Sequence, residues 1–433
     1  MREWIERDKS AIWHPFTPLM GMDDPLMIER AEGVNLYTAD GKKIIDAISS
    51  WWVNIHGHSH PKIANAIAEQ AHQLEHVIFA GFTHQPAVEL AERLLSILPD
   101  NQSKIFYSDN GSTAVEVGIK MAFQYFYNQG IKKKKIIAID GAYHGDTFGA
   151  MSVGERGPFT EPFDPYLFDV AFVDFPSKEK EEAVWNQFEA LVSAGDVAAF
   201  IFEPIVQGAS GMRVYSKALL NRMIALAQAN DVICIADEVM TGFGRLGTLF
   251  AADQLQNKPD IFCLSKGLTG GVLPMGVTSC TDKIQAAYRS NDLMKTFFHG
   301  HSFTGNPMIC AAANASLDIL LTEECEENRK RINRRHLTFG KQIEKHHLVR
   351  NSRVMGTIIA FEINTDKDTS YFNEARHHLY PYFIEKGLLI RPLGNVIYLI
   401  PPYIISDEDL DYIYQTILSF LDEYNSLAAV SAD

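Results

Sequence analysis

Two short runs decide how this chain reads: V-I-C-I-A-D-E, Val232 to Glu238, and I-F-C-L-S-K-G, Ile261 to Gly267. Each is a continuous apolar stretch bounded by polar residues, the pattern of a fully buried strand. The first delivers Asp237 and Glu238 at its C-terminal end; the second carries Lys266 out at the same kind of edge. Strand C-terminal ends are where ligands sit in open α/β sheets. An acid and an amine placed there suit a lysine that condenses with a carbonyl cofactor and an aspartate that keeps a ring nitrogen protonated. Pyridoxal phosphate needs that pair, the amine to hold its aldehyde and the carboxylate to keep its pyridinium charged as an electron sink. An ordinary surface ion pair is the alternative against which the rest of the chain is weighed.

Outward from these runs, the chain after Lys104 alternates strand and helix patterns. Ile105–Ser108, Ile136–Ile139, Val170–Phe175, Ala199–Phe202, Val232–Ala236, Ile261–Leu264 and Gly276–Cys280 are the expected strands, with helices at 112–129 and 216–230. That order predicts an α/β fold, a mostly parallel seven-stranded sheet covered by helices on both faces. Residues 149–168, rich in Gly and Pro, read as irregular. A helix from Asn306 to about Leu321 leads out of the sheet, and a charged helix beginning E-C-E-E-N-R-K-R follows. Beyond it, Gly356–Ile363 and Leu388–Ile400 carry strand patterns, and Tyr371–Lys386 and Asp407–Leu421 helical ones. The expected division is 1–48 as an arm and part of a small domain, 49–321 as a large cofactor-binding domain, and 322–433 as the C-terminal small domain.

Composition sets the outer limits. The 433 residues are 46% hydrophobic and 21% charged, ordinary for a globular protein. A formal net charge of -15 disfavours nucleic acid or an anionic membrane as partner, because no broad positive field exists to attract either. The amino terminus, M-R-E-W-I-E-R-D-K, lacks the apolar core of a signal peptide, and no apolar run approaches a membrane span. The five cysteines are scattered and read as buried thiols in a reducing compartment, which points to the cytoplasm.

Several stretches offer chemistry. D-N-G-S-T-A-V-E, Asp109 to Glu116, lies between a strand and a helix; Gly111 permits a tight turn, and amides around Ser112 and Thr113 make a ready anion site. Helix capping alone explains that run equally well. A-Y-H-G-D-T, Ala142 to Thr147, offers the flat ring of Tyr143 and the acceptor Asp146, while Glu203 ends another strand. H-G-H-S-F-T-G-N-P, His299 to Pro307, is a loop before a helix in which Ser302 or Thr304 could donate to phosphate. Arg391, inside an apolar strand pattern, suits a carboxylate clamp. In S-S-W-W-V-N-I-H-G-H-S-H-P, Ser49 to Pro61, adjacent Trp51 and Trp52 cannot both enter one core if the segment is extended, so one is expected to face a cleft. His56, His58 and His60 are candidate metal ligands without further partners for a full set; packing is the preferred reading, and no metal is expected.

Taken together, I-A-D-E-V-M-T-G-F-G-R with the downstream S-K-G, the G-S-T helix start and Y-H-G-D resemble the class III, or subgroup II, aminotransferases of the type I pyridoxal-phosphate fold. W-H-P-F-T, S-S-W-W-V-N-I-H-G-H, A-Y-H-G-D-T-F-G-A-M-S-V, G-F-G-R-L-G and R-P-L-G-N-V-I-Y-L-I-P-P-Y extend the resemblance over nearly the whole chain. They are most similar to the branch of the family that aminates 8-amino-7-oxononanoate in biotin synthesis. The resemblance implies Lys266 as the lysine that holds pyridoxal 5'-phosphate, Asp237 as partner of the pyridine nitrogen, and Tyr143 stacked on the ring. It implies Gly111 and Ser112 at the phosphate, with Ser302 reaching that phosphate from the other subunit of a homodimer. It implies Trp51, Trp52 and Gly300 along the substrate cleft, and Arg391 at the oxo-acid carboxylate with Arg245 and Tyr398 nearby.

Two positions depart from the familiar pattern. Phe16 stands where members using S-adenosyl-L-methionine as donor have a tyrosine, and His301-Ser302 where they have Pro-Thr. Ser302 keeps the hydroxyl; Phe16 matches relatives that use lysine as donor, while the Trp51-Trp52 pair matches those that use S-adenosyl-L-methionine. A broader omega-amino-acid or diamine transaminase, and a type I fold retained only for binding, are the remaining alternatives.

Overall fold

The computed structural model describes residues 1–430 except 22, 366 and 368. Its centre is a seven-stranded sheet whose strands, numbered along the chain, are β1 (Gln102–Ser108), β2 (Lys135–Ile139), β3 (Ala171–Val173), β4 (Val197–Phe202), β5 (Ile233–Asp237), β6 (Ile261–Leu264) and β7 (Gly276–Thr281). Their spatial order is β1-β7-β6-β5-β4-β2-β3. The pairs from β6 through β3 are parallel, and β7 runs antiparallel to both β6 and β1. Strands β4, β5 and β6 are buried at every residue, as expected of a sheet covered on both faces, and their continuous Ile, Val, Phe and Ala runs follow from that burial.

Helix α1 (Gly111–Asn128) packs against β7 and β6, with Gly118 close enough to Cys263 that a side chain there would crowd it. Asn110 caps α1 by accepting from the Thr113 amide, while Thr113 Oγ1 receives the Asn110 amide. The opposite layer includes α2 (Lys217–Ala229) and α3 (Pro307–Leu320), each capped by an oxygen of the residue before it, Ser216 and Asn306. The charged helix α4 (Glu323–Ile343) follows α3.

The two ends of the chain build the smaller part together. Strands at Ile28–Glu32, Asn35–Thr38 and Lys43–Asp46 form a sheet completed by Leu388–Leu389, which runs parallel to Lys43–Asp46. A three-stranded sheet of Val349–Met355, Ile358–Ile363 and Val396–Leu399 stands beside it in sequence. The expected strand over 388–400 is therefore broken in two. Pro392 lacks an N–H for a ladder and Gly394 takes φ +64°, so the segment carrying Arg391 leaves the sheet. The expected helix over 371–386 likewise shortens to Arg376–Glu385, and the one from Asp407 extends to Val430. Among the described residues, no helix is long and apolar enough to cross a membrane.

Candidate active site

The C-terminal ends of β2, β4, β5 and β6 and the N-terminus of α1 surround a cavity of about 400 Å³. Asp237 closes β5 at its floor. One of its carboxylate oxygens faces His144 Nδ1 at 2.6 Å and the other accepts from the Val239 amide at 3.0 Å, so the group is fixed on both sides. Both side chains are buried, and His144 Nε2 has no partner among the described residues. His144 was not singled out in the sequence; its place beside Tyr143 in Y-H-G-D was the only signal. Glu203, just past β4, accepts from the amides of Tyr143 and Gly208, and burial pushes its carboxyl up to about 7. Glu238, adjacent to Asp237, turns away from the cavity and accepts from Thr241 and from the amides of Ala251 and Ala252.

Lys266 enters from just beyond β6 with φ +43°, a left-handed backbone that a non-glycine residue adopts only under constraint from its surroundings. Its ammonium lies 4.7 Å from the Trp52 ring, and burial, opposed by Asp237 and Glu203, lowers it from 10.5 to about 8. Tyr143 lines the cavity, and burial raises its phenol.

At the start of α1 the amides of Gly111 and Ser112 have no acceptor among the described residues. Space there is narrow: a Cβ on Gly111 would come 2.8 Å from Val239 Cγ1, and one on Gly145, at φ +124°, would collide with the Ser112 hydroxyl. Ser112 Oγ accepts from the Asp146 amide at 3.3 Å, which ties the Y-H-G-D turn to the helix start. These are the parts that pyridoxal phosphate requires: unspent amides at a helix start for the phosphate, an amine for the aldehyde, a fixed carboxylate for the ring nitrogen and an aromatic face.

Trp52 forms one wall. Ser49, Ser50 and Trp52 all have positive φ, at +52°, +60° and +69°, so the segment is not extended here. The strain is held by neighbours. Asp46 accepts from Ser50 Oγ and the Ile48 amide, Ser49 Oγ donates to the Ile400 carbonyl, and Trp52 Nε1 donates to the Tyr398 hydroxyl at 3.0 Å. Trp52 is thereby buried against the cavity, whereas Trp51 is 43% exposed. Arg245 is fully buried and outside the cavity lining; its guanidinium donates to the carbonyls of Trp52 and Pro401, so it supports the wall from behind. Arg391 stacks 5.2 Å over the Trp51 ring, and Phe16 meets the same ring edge-on at 5.7 Å.

Gly300 and Ser302 do not line this cavity; they lie on the loop before α3, where Ser302 is exposed and Thr304 closes a turn with His301. The histidines of 56–60 are engaged in packing. His58 Nε2 faces Asp46 at 2.9 Å, and His56 Nε2 faces Ser316 Oγ at 3.0 Å with its imidazole pushed down to about 3 by burial. Among the described residues, no group of three or more His, Cys, Asp or Glu is placed to hold a metal.

The aminotransferase class-III family model matches residues 20–421. The adenosylmethionine-8-amino-7-oxononanoate aminotransferase of Synechococcus elongatus is 47% identical over 420 residues, covering 95% of this chain and 98% of its own. The structure of the enzyme of that name from Methanocaldococcus jannaschii superposes with a TM-score of 0.93 at 35% identity, covering 98% of this chain and 99% of that one. An omega transaminase from Pseudomonas jessenii, in complex with PMP, superposes with a TM-score of 0.91 at 26% identity, covering 97% of each chain.

Proposed function

Because the chain belongs to the class-III aminotransferases, pyridoxal-phosphate-dependent enzymes of the type I fold, we propose that it transfers an amino group to 8-amino-7-oxononanoate. The product is 7,8-diaminononanoate, a step of biotin biosynthesis, and S-adenosyl-L-methionine is the donor. The observation that carries this reading beyond the family is a line of two contact sets built on adjacent residues. The Lys266 amine lies on the Trp52 ring, which donates to Tyr398, and the neighbouring residue in the chain, Trp51, carries Arg391 on its ring. Such a line suits a substrate with its reacting amino ketone at one end, a carboxylate at the other and an aliphatic chain between.

Bound pyridoxal phosphate supplies an aldehyde that accepts the amino group and a ring that takes up electrons released at the substrate carbon. Lys266 would hold it, with Gly111 and Ser112 at its phosphate, Tyr143 over its ring and Asp237 at its ring nitrogen. Asp237 cannot swing away, since both its oxygens are engaged, and its charge offsets a protonated ring nitrogen. The Lys266 amine, lowered to about 8, carries a neutral fraction near neutral pH. Its Nζ, once free of the cofactor, would take up the proton released at the substrate carbon and hold it for return. Trp52 and Trp51 exclude water along the aliphatic chain, and the Arg391 guanidinium, already oriented on Trp51, takes the carboxylate. The donor is consumed first and leaves as its oxo product; the oxo acid then enters the same site.

The working unit is a homodimer with shared sites. Leu293, Met294, Phe298 and Phe303 are exposed on the loop that bears Gly300 and Ser302, an apolar surface that a second copy would cover. Ser302 would then donate to the phosphate of the partner subunit. Five free, buried cysteines suit a cytoplasmic location.

A second reading keeps the acceptor and replaces the donor by lysine. Phe16 favours it, because the ring meets Trp51 and Phe159 with no hydroxyl to offer a substrate. The donor half reaction decides. Enzyme loaded with pyridoxal phosphate is mixed separately with S-adenosyl-L-methionine and with lysine, and formation of pyridoxamine phosphate is followed. Conversion by S-adenosyl-L-methionine alone upholds the first reading, conversion by lysine alone the second, and failure of both moves the function to a broader transaminase of the omega type.

A further inference from the structure

The loop that bears Gly300 and Ser302 has no ladder partner of its own over 297–300; side chains of α1 hold it instead. Lys120, Gln124 and Asn128 are spaced four residues apart and so lie along one stripe of that helix. Lys120 Nζ lies 3.0 Å from His299 Nδ1 and 3.5 Å from the Phe298 carbonyl. Gln124 Nε2 donates to the Thr296 carbonyl at 2.9 Å and reaches that of Lys295 at 3.4 Å. Asn128 Nδ2 donates to the carbonyls of Ala287 and Lys295 at 3.2 and 3.3 Å. Phe297 anchors the same stretch by packing edge-on against Phe106 at 5.2 Å. Beyond these ties the chain makes the His301–Thr304 turn and leaves Ser302 facing outward.

One helix thus serves two places. Its first turn presents the open amides of Gly111 and Ser112, and its later turns clamp a loop that does not reach its own cavity. At 18 residues it is a rod of about 27 Å. We propose that Lys120, Gln124 and Asn128 are positioning residues that set the reach of this loop into the phosphate site of a second copy, so that cofactor retention in one subunit depends on α1 of the other. This rests on the homodimer reading given above.

The test uses Gln124→Glu, which keeps size and helix propensity but turns a donor into an acceptor facing two carbonyls. The purified holoenzyme is diluted into buffer containing a pyridoxal phosphate scavenger, and loss of bound cofactor is followed by absorbance. Expected are an unchanged dimer mass by light scattering, an unchanged melting temperature for the cofactor-free protein, and release about tenfold faster than in the parent. Lys120→Arg, which retains its donors, should release at close to the parent rate.

Mixed dimers, purified through two different tags, give the decisive arms. In the first, one subunit carries Gln124→Glu and the other Lys266→Ala; in the second, both changes sit on the same subunit. Only the subunit with Lys266 reports covalently bound cofactor. Slow release in the first and fast release in the second upholds the proposal, because the reporting site follows the loop of its neighbour. The reverse order, equal rates in both, or a lowered melting temperature with fast release in both overturns it. A parent holoenzyme that is monomeric removes the homodimer reading itself and the clamp with it.

Discussion

The floor of the cavity and its mouth are built in different ways. On the floor, Asp237, His144 and Glu203 are all buried, and each carboxylate is held by amides or an imidazole. Outside the lining, at what the proposed function takes as the mouth, Phe16, Trp51 and Phe159 are between 43% and 52% exposed, and the Phe16 ring packs edge-on against the other two. Phe159 continues the cluster to Tyr371 and Phe372, each at 5.0 Å. A floor of fixed polar groups is preorganised for one group that never changes. A mouth of aromatic rings, with arginine stacked on top, would suit the two different substrates that the proposed function brings in turn. Under the proposed function, the floor would carry the chemistry shared by the family and the mouth would carry substrate choice.

The largest effects should come from the floor. Lys266→Ala should lower turnover by about 10³-fold or more and abolish the absorbance of covalently held cofactor, in both half reactions alike. Retention of full activity would remove the assignment. Asp237→Asn keeps the shape and deletes the charge; both halves should slow by about 10²- to 10³-fold, measured by stopped flow. A loss confined to one half would mean that Asp237 serves a substrate and not the ring.

The mouth should respond unequally. Arg391→Ala should slow the oxo-acid half by about 10- to 100-fold, the worth of a charged hydrogen bond, and leave the donor half nearly intact. Equal losses would make Arg391 a support for Trp51, on which it already stacks.

The smallest effect lies in stability. Burial lowers the Lys266 amine from 10.5 to about 8. Below pH 8 both folded and unfolded chains are protonated, and the folded one bears a charge kept from water. Between pH 8 and 10.5 the unfolded chain binds the extra proton, so stability rises with pH across that window. Lys266→Met should therefore raise the melting temperature of the cofactor-free protein most below pH 8. The gain should fade toward pH 10.5; a gain independent of pH would mean that packing, and not charge, is responsible.

The same contrast explains what could be read from the sequence. The seven strands were legible because burial on both faces turns each into an apolar run, and Asp237 and Lys266 stood out as the polar residues that follow two of them. The type I fold followed from that alternation together with the family motifs. His144 was not legible, since its partner Asp237 lies 93 residues away and nothing local marks the pair. Nor were the positive φ values around Trp52, which depend on Asp46, Ile400 and Tyr398 converging from both ends of the chain. Arg391 was found by its chemistry but expected in a strand that Pro392 and Gly394 do not allow. The supporting place of Arg245 behind Trp52 is likewise a product of tertiary packing.

The measurement that most directly tests the proposed function is the acceptor half reaction. Enzyme carrying pyridoxamine phosphate is mixed with 8-amino-7-oxononanoate in a single turnover, with the return of covalently bound cofactor followed by absorbance and the product by mass spectrometry. The proposed function predicts one equivalent of 7,8-diaminononanoate per site. No conversion of this oxo acid, with ready conversion of simple oxo acids or aldehydes by the same preparation, would contradict it.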